Sequence, residues 1–544
     1  MKSSKLYGII CLLFLGLFLS TSCSDKDESV ETELIVSKEE MIFGKDAGEQ
    51  KLAVQSNAKW TISSSESWCT LSLASGEPGI KQFIVAVSEN QETDPREATL
   101  AVVSGGIAEE VKVKQEHSDL LAVTKKEYNV EAVGETITVE LRLSGDVAVS
   151  VSDFWIQQDI SFRATTNQTL KFTVDKNLAL AERNGIITLA LGDLKETVTI
   201  HQLGQDINIP SDKTGMESNA LALAAKMNLG WNLGNTLEVP GNEMGWGNPK
   251  TTEAMIRLVK DAGINAIRLP CAWDSYLESQ ETYKIKDLWL ARVKEVVDYC
   301  VNNEMYAILN IHWDGGWLEE NAVPEKQEEV NKKQKALWEQ IAVYFRDYDE
   351  RLLLAGTNEV HSGNSSAKHY DVQMSYNQTF VDAVRSTGGR NTYRNLIIQS
   401  FATDIDEAST HMVMSNDPIP NRLMLEVHFY PWQFTLLNED ANSTWGKALY
   451  LWGDDYIQYE SISGLEGRAS KDNNETFIIA QFDKIRTKFV DNGYPAILGE
   501  YGVIRRPDLT GKALEKHLES RAYYMEFTTR EAKKHGFVPF SWDT

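Results

Sequence analysis

Two glutamates end apolar runs in the second half of the chain. Glu359 closes the run 352–359, and Glu500 lies near the end of the run 495–501. Cleaving a glycosidic bond needs one carboxyl group that protonates the leaving oxygen and a second, ionised one that meets the developing positive carbon, about 5 Å apart in one class of enzyme. Surroundings that separate the two pKa values allow this division of work. We therefore predict Glu359 and Glu500 as a catalytic pair.

Polar and aromatic residues close the neighbouring apolar runs and are predicted to surround the pair. Arg268 is expected to hydrogen-bond Glu500 and hold its pKa low, whereas Glu359 in a more apolar setting is expected to keep its proton longer. Indole rings match the CH-rich face of a pyranose. The alternative is that these residues have structural roles, as salt-bridge partners, hydrogen-bonded core histidines or packing aromatics. The predicted binding and support residues are Asn232, Arg268, His312, Trp313, Asn358, His428, Tyr430 and Trp542.

Metal and cofactor chemistry is not expected. The nine histidines are scattered, and no His-Glu-x-x-His or Cys/His cluster occurs. Cys69, Cys271 and Cys300 lack ligand spacing and are interpreted as buried thiols.

The elements that must position these residues alternate between apolar runs and amphipathic helices. The eight runs are 229–235, 266–273, 306–313, 352–359, 396–401, 423–430, 495–501 and 538–542. These runs are too apolar for strands that expose one face to solvent, and helices separate them. The pattern predicts a (β/α)8 TIM barrel over 208–544, with the catalytic site at the carboxyl ends of the strands. The sequence ends directly after the eighth run, so the eighth helix is absent from it, and we expect the natural chain to continue.

An internal repeat precedes the barrel. Trp68, Asn90, Arg96 and Gln115 recur 87 residues later as Trp155, Asn177, Arg183 and Gln202. Short alternating strands in both copies predict two all-β immunoglobulin-like sandwich domains, at 32–118 and 119–207. We expect both tryptophans to fill the sandwich cores and the domains to act as spacers, with sugar binding as the alternative.

The first residues have the pattern of an export signal. Lys2 and Lys5 precede an apolar run over 6–19, which is short for a membrane span. The run ends in Ser20-Thr21-Ser22-Cys23, which resembles a bacterial lipobox. We expect a signal peptide at 1–22, lipidation at Cys23 and an acidic tether over 23–31, so that the protein is an exported lipoprotein of the outer membrane facing the cell surface. A plain secreted protein is the alternative.

The charge balance limits the partners. The chain has 54 basic and 79 acidic residues, a net charge of −25. This balance argues against nucleic-acid binding and favours a neutral substrate.

Six motifs follow one another in the second half of the chain: Gly230-Trp231-Asn232-Leu233-Gly234-Asn235-Thr236, Ile267-Arg268-Leu269-Pro270, Asn310-Ile311-His312-Trp313, Asn358-Glu359, His428-Phe429-Tyr430 and Gly499-Glu500-Tyr501-Gly502. Together they resemble the barrel signatures of glycoside hydrolase family 5, and the repeat resembles the BACON domain. The family resemblance implies retention of anomeric configuration, with Glu359 as acid/base, Glu500 as nucleophile and the residues named above in support. Val360 replaces a usual proline, and Thr544 stands where the family has Asn-Gly.

The resemblance implies an endo-acting hydrolase of β-1,4-linked neutral polysaccharides, with β-glucan, mixed-linkage glucan or xyloglucan as first choices. Mannan or glucomannan is the alternative substrate. Two other hypotheses remain: a glycan-binding lipoprotein without turnover, and adhesion through the tandem sandwiches. The oligomeric state is left open.

Overall fold

A computed structural model describes residues 31–159, 167–363, 366–435 and 447–542. The predicted signal peptide, Cys23 and nearly all of the acidic tether lie outside the described residues, as do Asp543 and Thr544.

The first sandwich has two facing sheets. Alternate side chains of each long strand point into the core, as between Arg96 and Ser104. One sheet contains Leu34–Val36, Gly48–Ser56, Gly79–Val87 and Cys69–Leu71 in spatial order. The other contains Glu40–Phe43, Ile107–Gln115, Arg96–Ser104, Trp60–Ser64 and Ser75–Gly76.

The second sandwich repeats this plan. Its first sheet contains Leu121–Val123, Glu135–Leu143, Asn167–Val174 and Ile156–Gln158. Its second contains Glu127–Val130, Leu194–Gln202, Arg183–Leu191 and Ala148–Val151.

The four repeated residues form one network in each sandwich. In the second copy the Arg183 guanidinium stacks 4.2 Å from the Trp155 ring and its Nε donates to Gln202 Oε1 at 2.8 Å. Asn177 Nδ2 donates to two backbone carbonyls beside them. The first copy repeats these contacts, but its Trp68 is only half-buried. Trp155 is 3% exposed and lies in the core as predicted, whereas Trp68 packs against the core of the first sandwich from its edge.

Eight parallel strands close into a barrel in sequence order, which confirms the predicted fold class. The strands are Gly230–Asn232, Ala266–Leu269, Tyr306–Asn310, Leu352–Ala355, Leu396–Gln399, Leu423–Phe429, Ala496–Tyr501 and Phe537–Ser541. Nearly every strand residue is buried, since one face fills the barrel and the other packs on helices. The last strand pairs with the first through Phe540 and Gly230, so the described strands complete the ring.

Most of the helices pack around the outside of the barrel, whereas the first helix packs on the side chains that fill its interior. The helices are α1 Ala220–Ala224, α2 Glu253–Asp261, α3 Asp287–Asn302, α4 Gln327–Tyr344, α5 Ala367–Ser386, α6 Ile405–His411, α7 Trp432–Thr435, α8 Glu475–Lys488 and α9 Gly511–Lys534. A short hairpin joins Leu277–Ser279 to Lys284–Ile285. Side chains of Asp404 and Asn474 cap α6 and α8. Within the described ranges, no helix combines the length and apolarity needed to cross a membrane.

Candidate active site

A bulge between the sixth and seventh strands brings two predicted site residues face to face. Val427 pairs with Leu498, but His428 pairs with Glu500, so Gly499 is the extra residue. A Cβ at Gly499 would lie 2.1 Å from Glu426 Oε1. Glycine is therefore required here because the carboxylate of the neighbouring strand occupies the space of a side chain.

Glu500 is held by three groups. Arg268 Nη1 donates to its Oε1 at 2.9 Å, and the Tyr430 hydroxyl donates to its Oε2 at 2.8 Å. His428 Nδ1 lies 3.8 Å from Oε2. The side chain is only 8% exposed, so these contacts fix the carboxylate in one orientation.

Arg268 ties the floor of the site together and is fully buried. Its guanidinium donates to Asn232 Oδ1 at 3.0 Å and to Asn358 Oδ1 at 2.7 Å, and its Nε lies 2.8 Å from Glu426 Oε1. The Asn232 amide nitrogen donates to Gly499 O at 2.9 Å. Both ends of the Asn232 side chain are thus engaged within the protein, and it supports the site from below.

Glu359 faces the cleft and is the more accessible of the pair. Its side chain is 39% exposed, and its Oε1 lies 2.7 Å from His428 Nδ1. One carboxylate oxygen of Glu359, one of Glu500 and a ring nitrogen of His428 all lie within 4.8 Å of one another. The fold therefore brings the two predicted glutamates together over one imidazole.

The protonation of this cluster differs from the sequence-based expectation. Burial lowers the pKa of His428, but the negative charge of Glu500 and hydrogen bonds to Glu359 and Glu426 raise it to about 10. Burial raises the pKa of Glu359, yet the charged His428 beside it brings the net shift downward. Burial raises the pKa of Glu500, and the His428 and Arg268 charges oppose this shift without reversing it.

The directions of the two glutamate pKa shifts are therefore opposite to those expected from the sequence. The reason is that His428, rather than Glu359, holds the shared proton, and that Arg268 divides its charge between Glu500 and Glu426. Among the described residues, Glu359, His428 and Glu500 are also close enough to suggest a metal site. Both His428 nitrogens face carboxylates, however, and the resulting imidazolium has no lone pair for a metal.

Aromatic side chains line the cleft beside the glutamates. The His312 ring stacks on Trp542 with centroids 5.8 Å apart, and burial lowers the pKa of His312 well below its usual value, so this ring is neutral. A Cβ at Gly234 would lie 2.6 Å from the Trp542 indole, which explains that glycine. Trp313 is partly exposed, 6.4 Å from the exposed ring of Trp246.

Four further tryptophans of the barrel domain have other positions. Trp273 and Trp452 are fully buried in the barrel core, so they are unavailable to a ligand. The Trp317 indole donates to Asp314 Oδ2 at 2.9 Å. Trp445 lies outside the described residues.

Sequence reasoning missed two buried glutamates beneath the site. Glu426 Oε1 lies 3.2 Å from His428 Nε2 and 2.8 Å from Arg268 Nε. Glu319 Oε2 accepts from Asn358 Nδ2 at 2.9 Å, and burial raises the Glu319 pKa to about 7. A charged residue inside the apolar run 423–430 was the available signal for Glu426, because a buried charge requires a partner.

The closed barrel and paired glutamates at its carboxyl rim define a glycosidase that acts on O-glycosyl compounds. The model of the family described as "Cellulase (glycosyl hydrolase family 5)" matches residues 232–544. The chain belongs to glycosyl hydrolase family 5, and its relatives support an endo-acting hydrolase. The two N-terminal regions match models described as "Viral BACON domain", at 33–118, and "Putative binding domain, N-terminal", at 146–203.

Known relatives resemble both the barrel and the N-terminal region. The xyloglucan-specific endo-beta-1,4-glucanase BoGH5A of Bacteroides ovatus is 35% identical over 449 residues, covering 78% of this chain and 86% of the relative. Endoglucanase A of Paenibacillus barcinonensis is 34% identical over 348 residues, and the match covers 60% of this chain and 82% of the relative. The solved Bacteroides ovatus GH5 xyloglucanase in complex with a XXXG heptasaccharide covers 94% of both chains at 31% identity, with a TM-score of 0.58.

Proposed function

We propose that this protein is a retaining endo-β-1,4-glucanase that cleaves a neutral β-glucan backbone, with Glu500 as nucleophile and Glu359 as acid/base. One observation carries the proposal: oxygens of the two glutamates lie within 4.8 Å of each other and of the His428 ring. Inverting glycosidases place their carboxyl groups about 6.5–9.5 Å apart to admit a water molecule, whereas retaining enzymes place them about 5–5.5 Å apart.

The first step forms a bond from Glu500 to the anomeric carbon. Arg268 and Tyr430 hold Glu500 from its two oxygens, so that the carboxylate is aligned before substrate arrives. The bond from the anomeric carbon to the leaving oxygen breaks, and that oxygen takes the proton of Glu359. In the second step Glu359 removes a proton from water, whose oxygen displaces Glu500 and restores the starting carboxylate.

We infer that His428 holds the proton for this cycle before a sugar binds, because its carboxylate neighbours raise its pKa to about 10. Its Nδ1 lies 2.7 Å from Glu359, so one short transfer loads the acid. A bound sugar displaces water from the partly exposed Glu359, which disfavours its charged form and draws the proton across. His428 is therefore a positioning and proton-holding residue for Glu359.

The substrate proposal rests on charge and on the relatives. A net charge of −25 suits an uncharged polymer better than a polyanion. Xyloglucan is the first candidate because one relative is named as xyloglucan-specific and one solved neighbour holds a XXXG heptasaccharide. His312, Trp313 and Trp542 offer the rings that would contact the backbone sugars.

A digest of defined polysaccharides tests the function. Xyloglucan, mixed-linkage glucan, carboxymethylcellulose and glucomannan are incubated with the protein, and new reducing ends and product lengths are measured. We expect internal cuts that yield oligosaccharides from a glucan, with the β-anomer formed first in proton NMR spectra. Preferred cleavage of glucomannan would reassign the substrate, and no release from any polymer would favour a binding protein.

Matched variants test the residue assignment. Glu359→Gln and Glu500→Gln each remove one carboxyl group and should each abolish nearly all turnover. Glu304→Gln is the control, because that side chain is 83% exposed and precedes the strand Tyr306–Asn310 at the amino end of the barrel, opposite the site. Wild-type rates in both active-site variants would overturn the assignment.

We also propose that the protein is a surface-facing outer-membrane lipoprotein anchored through Cys23. The lysines, apolar run and Ser-Cys junction at residues 1–23 support this location. Metabolic labelling with a fatty acid should mark the parent and fail to mark Cys23→Ser, and protease added to whole cells should remove the labelled parent. Equal labelling of both chains would contradict the anchor.

A further inference from the structure

The two sandwiches differ in one patch beside their shared Arg-Trp network. In the first sandwich the patch residues are polar and exposed, and at the same positions in the second they are apolar. Offset by 87 residues, the pairs are Ser67 and Phe154, Gln91 and Leu178, and Glu92 and Ala179. Because the two networks are otherwise alike, the sandwich fold itself does not require an apolar patch. The difference therefore points to a contact that only the second sandwich makes.

The apolar patch lies against the barrel. Ala179 is 7% exposed and belongs to the same hydrophobic cluster as the barrel core. Leu178 and Trp155 line a cleft whose other wall is the outer face of α3, together with Tyr344 from α4. Apolar surface is buried between the domains, and this burial favours their association.

Charged groups complete this contact. Lys176 Nζ lies 2.5 Å from Asp347 Oδ2, although both side chains are largely exposed and contribute little to stability. Asp287 lies close enough to Arg183 for its charge to oppose the lowering of the Arg183 pKa by burial. The corresponding position to Lys176 in the first sandwich is Glu89, which has the opposite charge.

The segment between the second sandwich and the barrel is bound along its length. Arg346 Nη1 donates to the carbonyls of Asp206 and Ile207 at 3.1 and 3.2 Å. Asn208 Nδ2 donates to Ser386 O at 2.6 Å, and Ile209 forms a parallel bridge with Gly388. A segment with this many backbone contacts to the barrel is not a free linker.

We propose that the second sandwich is a fixed part of the catalytic body, docked on α3 and α4 through Leu178 and Ala179, and that the first sandwich is the independent spacer. Any rotation between the two sandwiches would then occur at Asp119, between Ser118, whose N donates to Glu92 O of the first sandwich, and Leu120, whose N donates to Ser144 Oγ of the second. The proposal concerns the assembly of the chain and does not depend on the activity proposed above.

Hydrogen exchange on the unmodified full-length protein tests the proposal without a variant. The backbone amides of Ile209 and Asp212 donate to Thr387 O and Gly389 O of the barrel, so they should exchange as slowly as those of the barrel helices and much more slowly than the amide of Asp119 between the two sandwiches. Exchange of Ile209 and Asp212 as fast as that of Asp119 would overturn the proposal, since the second sandwich would then be as loosely attached to the barrel as the first sandwich is to the second.

A variant pair exchanges the patches. Leu178→Gln with Ala179→Glu gives the second sandwich the residues of the first, which the fold accommodates at those positions. Gln91→Leu with Glu92→Ala is the mirror control. Trypsin cleavage after Lys213 should become at least about 10-fold faster in the first variant and stay unchanged in the control.

Calorimetry of the same proteins gives the second readout. In the parent, the second sandwich and the barrel should unfold in one transition, separate from that of the first sandwich. The Leu178 and Ala179 double variant should split the shared transition, whereas the control should keep it. Parent-like calorimetry and cleavage in the folded double variant would show that this patch does not hold the domains together.

Discussion

Replacing Glu426 by glutamine tests whether the proton of the active site is held on His428. Glu426 is fully buried, and its Oε1 lies 3.2 Å from His428 Nε2. The substitution keeps the shape of the side chain and one oxygen acceptor but removes the negative charge. The His428 pKa, raised to about 10 by its three carboxylate neighbours, should fall.

The size of the fall follows from the geometry. Two unit charges 3.2 Å apart interact by about 5 kcal/mol at an effective dielectric constant of 20. The glutamine oxygen retains part of the hydrogen bond, so about half of that energy should be lost. One pKa unit corresponds to about 1.4 kcal/mol, so the His428 pKa should drop by about 2 units.

The pH dependence of kcat/KM on a soluble glucan is the assay, because its basic limb reports the proton that the free enzyme must hold. In Glu426→Gln this limb should move to lower pH by about 2 units. Glu426→Asp retains the charge and should leave the limb close to that of the parent. A folded Glu426→Gln enzyme with an unmoved basic limb would refute the reasoning.

Three further substitutions have distinct expected outcomes. Gly499→Ala places a Cβ 2.1 Å from Glu426 Oε1, so kcat should fall at least about 10-fold and the melting temperature should drop; parent-like values in both measurements would contradict the close approach. The Glu319 pKa is raised to about 7, so its stabilising contribution is complete below about pH 4.5 and is lost as pH rises through 7. Glu319→Gln should therefore lose less stability than the parent between those pH values in denaturant titrations, and parallel curves would argue against a buried, titrating carboxyl group. Trp246→Ala should raise KM for long glucans about 2- to 10-fold with kcat unchanged, whereas an unchanged KM would remove this ring from the substrate path.

The sequence was sufficient to predict the barrel because its strands are apolar on both faces. The strands that contain Arg268, His428 and Glu500 each carry that residue one position before their carboxyl end, and a parallel barrel directs such residues to one rim. The same regularity explains why the predicted site residues converge. Some strands were predicted too long. The fourth was predicted over 352–359 but ends at Ala355, and Asn358 and Glu359 follow it in a loop.

The protonation of the active site and the burial of the repeated tryptophans could not be predicted from the strand pattern. The His428 pKa depends on its contacts with Glu359, Glu426 and Glu500, which are far apart in the sequence. The only sequence signal for Glu426 is an isolated charge within an apolar run. The repeat related Trp68 to Trp155 correctly but did not show that Trp155 is the more buried of the two, since Trp155 also lines the cleft against the barrel. Such outcomes depend on which side chains meet, and a single sequence does not specify that.

Mass spectrometry of a trapped intermediate tests the central claim most directly. A 2-deoxy-2-fluoro glucan oligosaccharide with a good leaving group should slow the second step and leave one sugar chain covalently bound to the protein. We predict that peptide mapping places the adduct on Glu500 and that Glu500→Gln forms none. An adduct on another residue, or turnover that inverts the anomeric configuration without any adduct, would contradict the account.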